Sequence, residues 1–265
     1  MSAPLILQKQ LPYMAWMTPS GKRLPGLSPL KTEDWLIRDD AFSAQLAYRD
    51  QLIRSKRDDV YQALSECHEA ADELLEILLS ELPKTHGYSL QANTLTRPDG
   101  AGIDITSGPP LLVAGQLAQE DFALLSKSGD VYRLTGAIIC FPANWRLSDK
   151  IGKSLGGLHD PVANFDANME QRTHRVFDHL RADTPLQRAN FLIYTNPDLH
   201  QPQRAPKTIA AGMPRYVRVE RQSLRRLPKT GAIVFAIHTY LVPAATLTPP
   251  QFAQLAALRP QLGER

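Results

Sequence analysis

The stretch Ala232-Ile233-Val234-Phe235-Ala236-Ile237-His238-Thr239-Tyr240 alternates two kinds of side chain. In an extended strand Ile233, Phe235 and Ile237 fall on one face, and Ala232, Val234, Ala236, His238 and Tyr240 on the other. The second face begins small and ends polar, which leaves room for a helix or a cofactor to pack there. Working outward, Tyr216-Val217-Arg218-Val219 and Asn190-Phe191-Leu192-Ile193-Tyr194 are strand-like too, as is the rest of Ile233 to Val242. Each is bounded by Pro, Gly or Asn, the residues that punctuate strands. Further back, Leu111-Leu112-Val113, Phe122-Ala123-Leu124-Leu125 and Val131 to Phe141 read the same way.

Before residue 84 the pattern is helical. Val60, Leu64, Cys67, Ala71, Leu74 and Leu78 step by threes and fours, which predicts one amphipathic helix from about Arg57 to Leu82, ended by Pro83. A helix from Asp40 turns Phe42, Leu46, Leu52 and Ile53 inward, and Thr32 before Glu33 and Asp34 reads as a helix N-cap. Residues 1–31, with Tyr13 and Trp16, read as an extended arm that packs by its aromatics. A helix carrying Val176, Phe177 and Leu180 is inserted among the strands, and Thr248-Pro249-Pro250-Gln251 opens a last one with a capping box. Asn196 to Pro214 reads as a long surface loop. Helices first and strands afterwards indicate an α+β fold rather than an alternating parallel sheet. The expected organisation is an arm and helical extension over residues 1–95 and a core over 96–265, joined in one compact unit.

The 265 residues suit one large domain, and an apolar share of 43% is enough for a real core. A net charge of +3, spread along the chain, argues against a nucleic-acid partner. Cys67 and Cys140 are far apart in sequence and form no Cys-x-x-Cys pair; both read as buried thiols. The apolar patch at the N-terminus is too short for a signal peptide, and no run reaches the length of a membrane span. A soluble, cytoplasmic protein is expected. There is no Gly-x-Ser-x-Gly, His-Glu-x-x-His, P-loop or Gly-x-Gly-x-x-Gly motif.

Seven histidines remain. His68, His86 and His200 stand in polar or loop contexts and read as solvated. His174 and His179 are five apart, on different faces of a helix. His159 follows Leu155-Gly156-Gly157-Leu158 and precedes Asp160-Pro161, so it reads either as a helix-end histidine facing the dipole or as an axial ligand of an iron porphyrin. Gly152, Gly156 and Gly157 read as helical positions that permit close packing. His238 is either a satisfied half-buried histidine or a second ligand candidate. Arg218 and Glu220 share one face of their strand, with Arg215 and Arg221 on the other. They suit a solvated ion-paired strand, or arginine forks for carboxylates and a carboxylate for a cationic amine. Arg188 with Asn190 is a similar polar pair.

Taken together, several uncommon blocks resemble one family. They are Gly26-Leu27-Ser28-Pro29-Leu30 to Trp35, Gln45-Leu46-Ala47, Gln119-Glu120-Asp121-Phe122, Cys140 to Val162, Gln187-Arg188-Ala189-Asn190 and Arg218 to Pro228. The chain resembles the alpha subunits of haem-dependent oxidative N-demethylases. That resemblance implies a PAS-like antiparallel sheet holding haem b, with helical additions. It also implies oxygen-dependent conversion of dimethylamine to methylamine and formaldehyde. Electrons would come from NADPH through partner subunits carrying FMN and an iron–sulfur cluster, with tetrahydrofolate serving a further subunit. Carried over by position, His159 becomes the metal ligand, with His238 the alternative. Arg188, Arg221, Trp145 and Lys150 become cofactor contacts, and Glu220 and Arg218 the catalytic pair that orients the amine. Ala163-Asn164 stands where the family pattern has Pro-Gly. A PAS-type haem sensor without turnover is the alternative reading.

Overall fold

The structure, a computed structural model, describes residues 6–17, 26–85, 87–159, 167–203 and 213–258. Its frame is a seven-stranded antiparallel sheet whose order is β1-β8-β9-β10-β6-β7-β2. Here β1 is Ser28–Pro29, β2 Tyr61–Ala63, β6 Asp121–Ser128, β7 Val131–Ile138, β8 Leu186–Tyr194, β9 Tyr216–Arg226 and β10 Ile233–Pro243. Three short strands, β3 (Ser89–Gln91), β4 (Thr94–Thr96) and β5 (Gly102–Asp104), form a separate small sheet. The helices are α1 (Phe42–Ser55), α2 (Arg57–Val60), α3 (His68–Thr85), α4 (Pro110–Leu117), α5 (Leu155–His159), α6 (Ala167–His179) and α7 (Pro249–Leu258). The fold is α+β. No helix among the described residues is long and apolar enough to cross a membrane.

Register decides what each face of the sheet carries, because residues paired across neighbouring strands point the same way. Val234 pairs with Leu124, Ala236 with Phe122, and Phe122 with Ile138. This first face packs against Phe42 and Leu46 of α1, Leu74 and Leu78 of α3, and Leu111 and Ala114 of α4 in one apolar cluster. Ala236 of β10, and Ala232 just before it, therefore lie under helices. Phe235, Ala123 and Ala137 form the opposite row. Part of this second face is covered by Leu147, Leu155 of α5 and Phe177 of α6. The largest cluster draws on residues either side of position 95.

Five local expectations differ from the structure; one is Gly152, read as helical, which stands in a turn before α5 with φ 76°. The long helix from Arg57 is broken: Tyr61–Ala63 extends to pair with β7, and the helix resumes only at His68. The free edge of β7 draws the chain out, since Ile139 N–H reaches Val60 O at 2.7 Å and Leu64 N–H reaches Thr135 O at 2.8 Å. That helix then runs past Pro83 to Thr85. Leu111–Val113 is helical, not extended. Pro110 sits in its first turn, where a missing N–H costs nothing. The helix is buried all round, so no periodic stripe betrays it. Thr32–Asp34 forms only a single 3-10 turn, and α1 is instead preceded by Asp39, whose Oδ1 accepts from Ala41 N–H at 2.9 Å. The arm docks by its aromatics as expected, with Tyr13 edge-on to Tyr240 and Trp16 edge-on to Phe191.

Candidate functional site

Strand β9 carries charged and amide side chains on both faces and yet is buried along nearly its whole length. A buried charge must find partners or it destabilises the fold by several kcal/mol. The two faces satisfy this differently, and neither is the solvated strand that its composition suggests.

On the second face two register rows lie side by side: Arg188, Gln222 and Ile237, then Asn190, Glu220 and Thr239. Arg188 Nε donates to Gln222 Oε1 at 2.7 Å, and Gln222 Nε2 donates to Glu220 Oε2 at 3.0 Å. Arg218 Nε donates to Glu220 Oε1 at 3.1 Å, and its Nη1 reaches Leu199 O at 3.0 Å. Arg218 Nη2 also donates to Phe141 O. Arg218 thus spends its whole fork within the protein, while Glu220 keeps further lone pairs beyond its two bonds. Gln222, which the sequence reading left out, is the link between the two charged ends. Its position in the Arg218–Arg226 block, one strand period after Glu220, is the signal that would have found it.

Arg188 differs from Arg218. Its bond to Gln222 is the one hydrogen bond it makes among the described residues. Burial pushes the guanidinium below the usual arginine range, and the charge of Glu220 only partly opposes this. Nearby, Asn190 Oδ1 and Thr239 Oγ1 are buried without a hydrogen-bond partner among the described residues. Beside these polar rows, the half-buried Phe235 and Trp145 complete a mainly apolar wall with Ala123, Leu134 and Ala137.

The segment that follows β7 is tied down hard. Asp121 accepts from Arg49 Nη1 at 2.8 Å, Cys140 N–H at 2.7 Å and Phe141 N–H at 2.9 Å, and the Arg49–Asp121 pair is wholly buried. The chain then passes Trp145, turns through Leu147–Asp149, and enters α5. Lys150 Nζ donates to Leu158 O, so this lysine holds the end of α5. His159 is the last residue of that helix. The Ala163-Asn164 position lies outside the described residues, as does His86.

His238 and Arg221 occupy the first face instead, as register partners. His238 Nδ1 is 3.1 Å from Glu120 Oε1 and its Nε2 is 3.1 Å from Asp39 Oδ2. Burial opposes the imidazolium, but hydrogen bonds to Asp39 and Glu120 and their charges prevail and raise its pKa to about 9. Both ring nitrogens are therefore donors to carboxylates, and neither offers a lone pair to a metal. Arg221 gives Nη1 to Trp35 O at 3.0 Å, Nη2 to Asp34 O at 2.7 Å and Nε to Gln187 at 2.8 Å. It fastens the 3-10 turn to the sheet. His200, expected in solvent, is buried with Nδ1 2.9 Å from Cys140 O. Cys67 and Cys140 are both buried, and burial pushes the Cys140 thiol up to about 12.

Of the residues singled out from sequence, Arg188, Arg218, Glu220, Trp145 and Lys150 thus belong to the second face or the segment laid over it. Residues 26–259 match the model of the family described as haem-dependent oxidative N-demethylase, alpha subunit-like, and the chain belongs to that family.

Proposed function

We propose that the chain carries out haem-dependent oxidative N-demethylation of a small secondary amine such as dimethylamine, giving the primary amine and formaldehyde. The observation that carries this reading is the chain Arg188–Gln222–Glu220–Arg218 set against an apolar wall. It joins a desolvated arginine with an open fork to a carboxylate held in place from two sides. The residues fit a haem. An open guanidinium suits a propionate bidentately, the half-buried Phe235 and Trp145 offer apolar surface to a macrocycle, and a histidine ends the helix of the covering segment.

In this reading His159 would ligate the iron, Arg188 would pair with a propionate, and Trp145 would help keep water from the site. When bound, haem supplies the oxygen chemistry, with electrons delivered by a flavin and iron–sulfur partner subunit. The chain's own contribution is binding and orientation. Glu220 receives the amine cation on its free lone pairs. Arg218 and Gln222 fix the carboxylate's plane, so the amine's N–H groups meet acceptors already in position. Asn190 offers a further polar group in the same row.

The test is an absorption spectrum of the protein expressed with a haem precursor, followed by a formaldehyde assay with dimethylamine, oxygen and a reductant. A Soret band lost in His159→Ala, together with formaldehyde release, is the expected result. Haem binding without formaldehyde turns the reading to a PAS-type sensor. A protein that takes up no hemin overturns it.

A further inference from the structure

Helix α5 is only five residues long, too short to hold its own geometry, so its orientation must come from outside. Among the described residues, hydrogen bonds from three side chains hold it. Ser154 Oγ accepts from Gly157 N–H at 3.4 Å, and Lys150 Nζ donates to Leu158 O at the other end. The third is Glu170, from α6, whose Oε1 accepts from Gly156 N–H at 2.9 Å. A Cβ on residue 156 would lie 2.6 Å from Glu170 Oε2 and 2.7 Å from Oε1, so an alanine there would push the carboxylate off the Gly156 amide. His174, one turn along α6, places Nε2 3.8 Å from Glu170 Oε1 and so flanks the carboxylate.

We infer that Glu170 is a positioning residue: through the Gly156 amide it fixes α5, the helix that ends at the proposed haem ligand, His159. This rests on the reading of His159 as the axial ligand. Glu170 makes no contact with the reacting atoms. Its carboxylate is a charge-assisted acceptor for a backbone N–H that would otherwise lack one at the start of a helix. The glycine lets the carboxylate approach the backbone. Ser154 and Lys150 bracket the same helix, so removing the carboxylate loosens α5 without releasing it.

The experiment uses the haem-loaded protein in five forms: wild type, His159→Ala, Glu170→Ala, Glu170→Gln and Gly156→Ala. Two quantities are read, the iron–imidazole signature by resonance Raman and the rate of haem transfer to a scavenging apoprotein. Glu170→Ala is expected to broaden the iron–imidazole band and speed haem loss roughly tenfold, with an unchanged far-UV spectrum. Glu170→Gln, which keeps an acceptor oxygen, restores both. Gly156→Ala, which displaces the carboxylate from the other side, reproduces the loss and reads the same link should Glu170→Ala fail to fold. If His159→Ala abolishes the imidazole signature but Glu170→Ala and Gly156→Ala match wild type, the positioning role falls alone. If His159→Ala keeps the signature, the ligand assignment falls and takes this inference with it.

Discussion

Arg218 and Glu220, one strand period apart on β9, form a buried ion pair with Nε 3.1 Å from Oε1. The arginine is fully used, by Glu220 and by the carbonyls of Leu199 and Phe141. Removing it strands a buried carboxylate and frees two carbonyls at once. Arg218→Met is therefore expected to cost about 3–5 kcal/mol, read as a lowered urea midpoint with an unchanged slope. A midpoint equal to wild type would show the pair to be dispensable to the fold.

Glu220→Gln keeps the shape and an acceptor for Arg218 but loses the negative charge. The expected result is a folded protein with a lowered melting temperature, because the buried Arg218 loses its counter-ion and one of Arg218 and Gln222 loses its acceptor, and with kcat/KM for the amine reduced roughly tenfold to a hundredfold, the worth of hydrogen bonds to a charged group. An unaltered kcat/KM would remove Glu220 from amine binding.

His238 gives a pH dependence of stability. Its folded pKa, about 9, lies above the ordinary histidine value of 6.5. A proton is thus held more tightly in the folded state, and the stabilisation is complete below 6.5 and lost as pH rises toward 9. Its partner Asp39 is shifted in the matching sense. Burial opposes its charge, but the hydrogen bond and charge of His238, with Gln119 and Gln8, hold it below the usual carboxylate range. Urea midpoints are expected to fall between pH 6.5 and 9 in wild type and to be flatter over that interval in His238→Asn. Parallel curves would place the proton elsewhere.

Much of the sheet was legible because alternation is a strong signal wherever the two faces differ. Ile233 to Val242 and Phe122 to Leu125 stand in the sheet where the alternation puts them. What was hidden lacks a local signal. Residues 110–117 are apolar apart from Gln116, and Tyr61–Ala63 is extended only because β7 needs an edge partner. For the site, sequence put Arg218 with Glu220 on one face and Arg221 on the other, as in the structure. It could not tell that both faces are buried, nor that Asp39 and Glu120, distant in sequence, already occupy His238. Asp121 was passed over for a similar reason. Its three donors come from α1 and the segment after β7, which only folding brings together.

Gly136 tests how tightly α4 and the turn before α3 lie on the sheet. A Cβ there would meet Cys67 Sγ at 2.7 Å and Leu111 Cδ2 at 3.1 Å. Gly136→Ala is expected to destabilise by about 1–3 kcal/mol through overpacking. Adding Cys67→Ala removes the nearer atom, so the double variant should recover part of the loss, a coupling that a double-mutant cycle on denaturation midpoints reports. Strict additivity would mean the neighbours give way without cost.

Arg188 separates stability from cofactor binding. The guanidinium is desolvated, makes one hydrogen bond to a neutral amide, and meets Glu220 only through Gln222. A cation in that position works against folding of the haem-free chain, because it has left water without gaining a direct counter-ion. Arg188→Met keeps the length and apolar stem while removing the charge. The haem-free variant is therefore expected to unfold at a higher urea concentration than wild type, since replacing a poorly compensated buried charge with an apolar side chain is often stabilising. The same change removes the proposed fork for a propionate, so hemin titration should show affinity weakened roughly tenfold. The two effects have opposite signs, which a simple packing defect would not produce. Loss of stability together with unchanged hemin affinity would mark Arg188 as a structural residue and leave the propionate without its proposed partner.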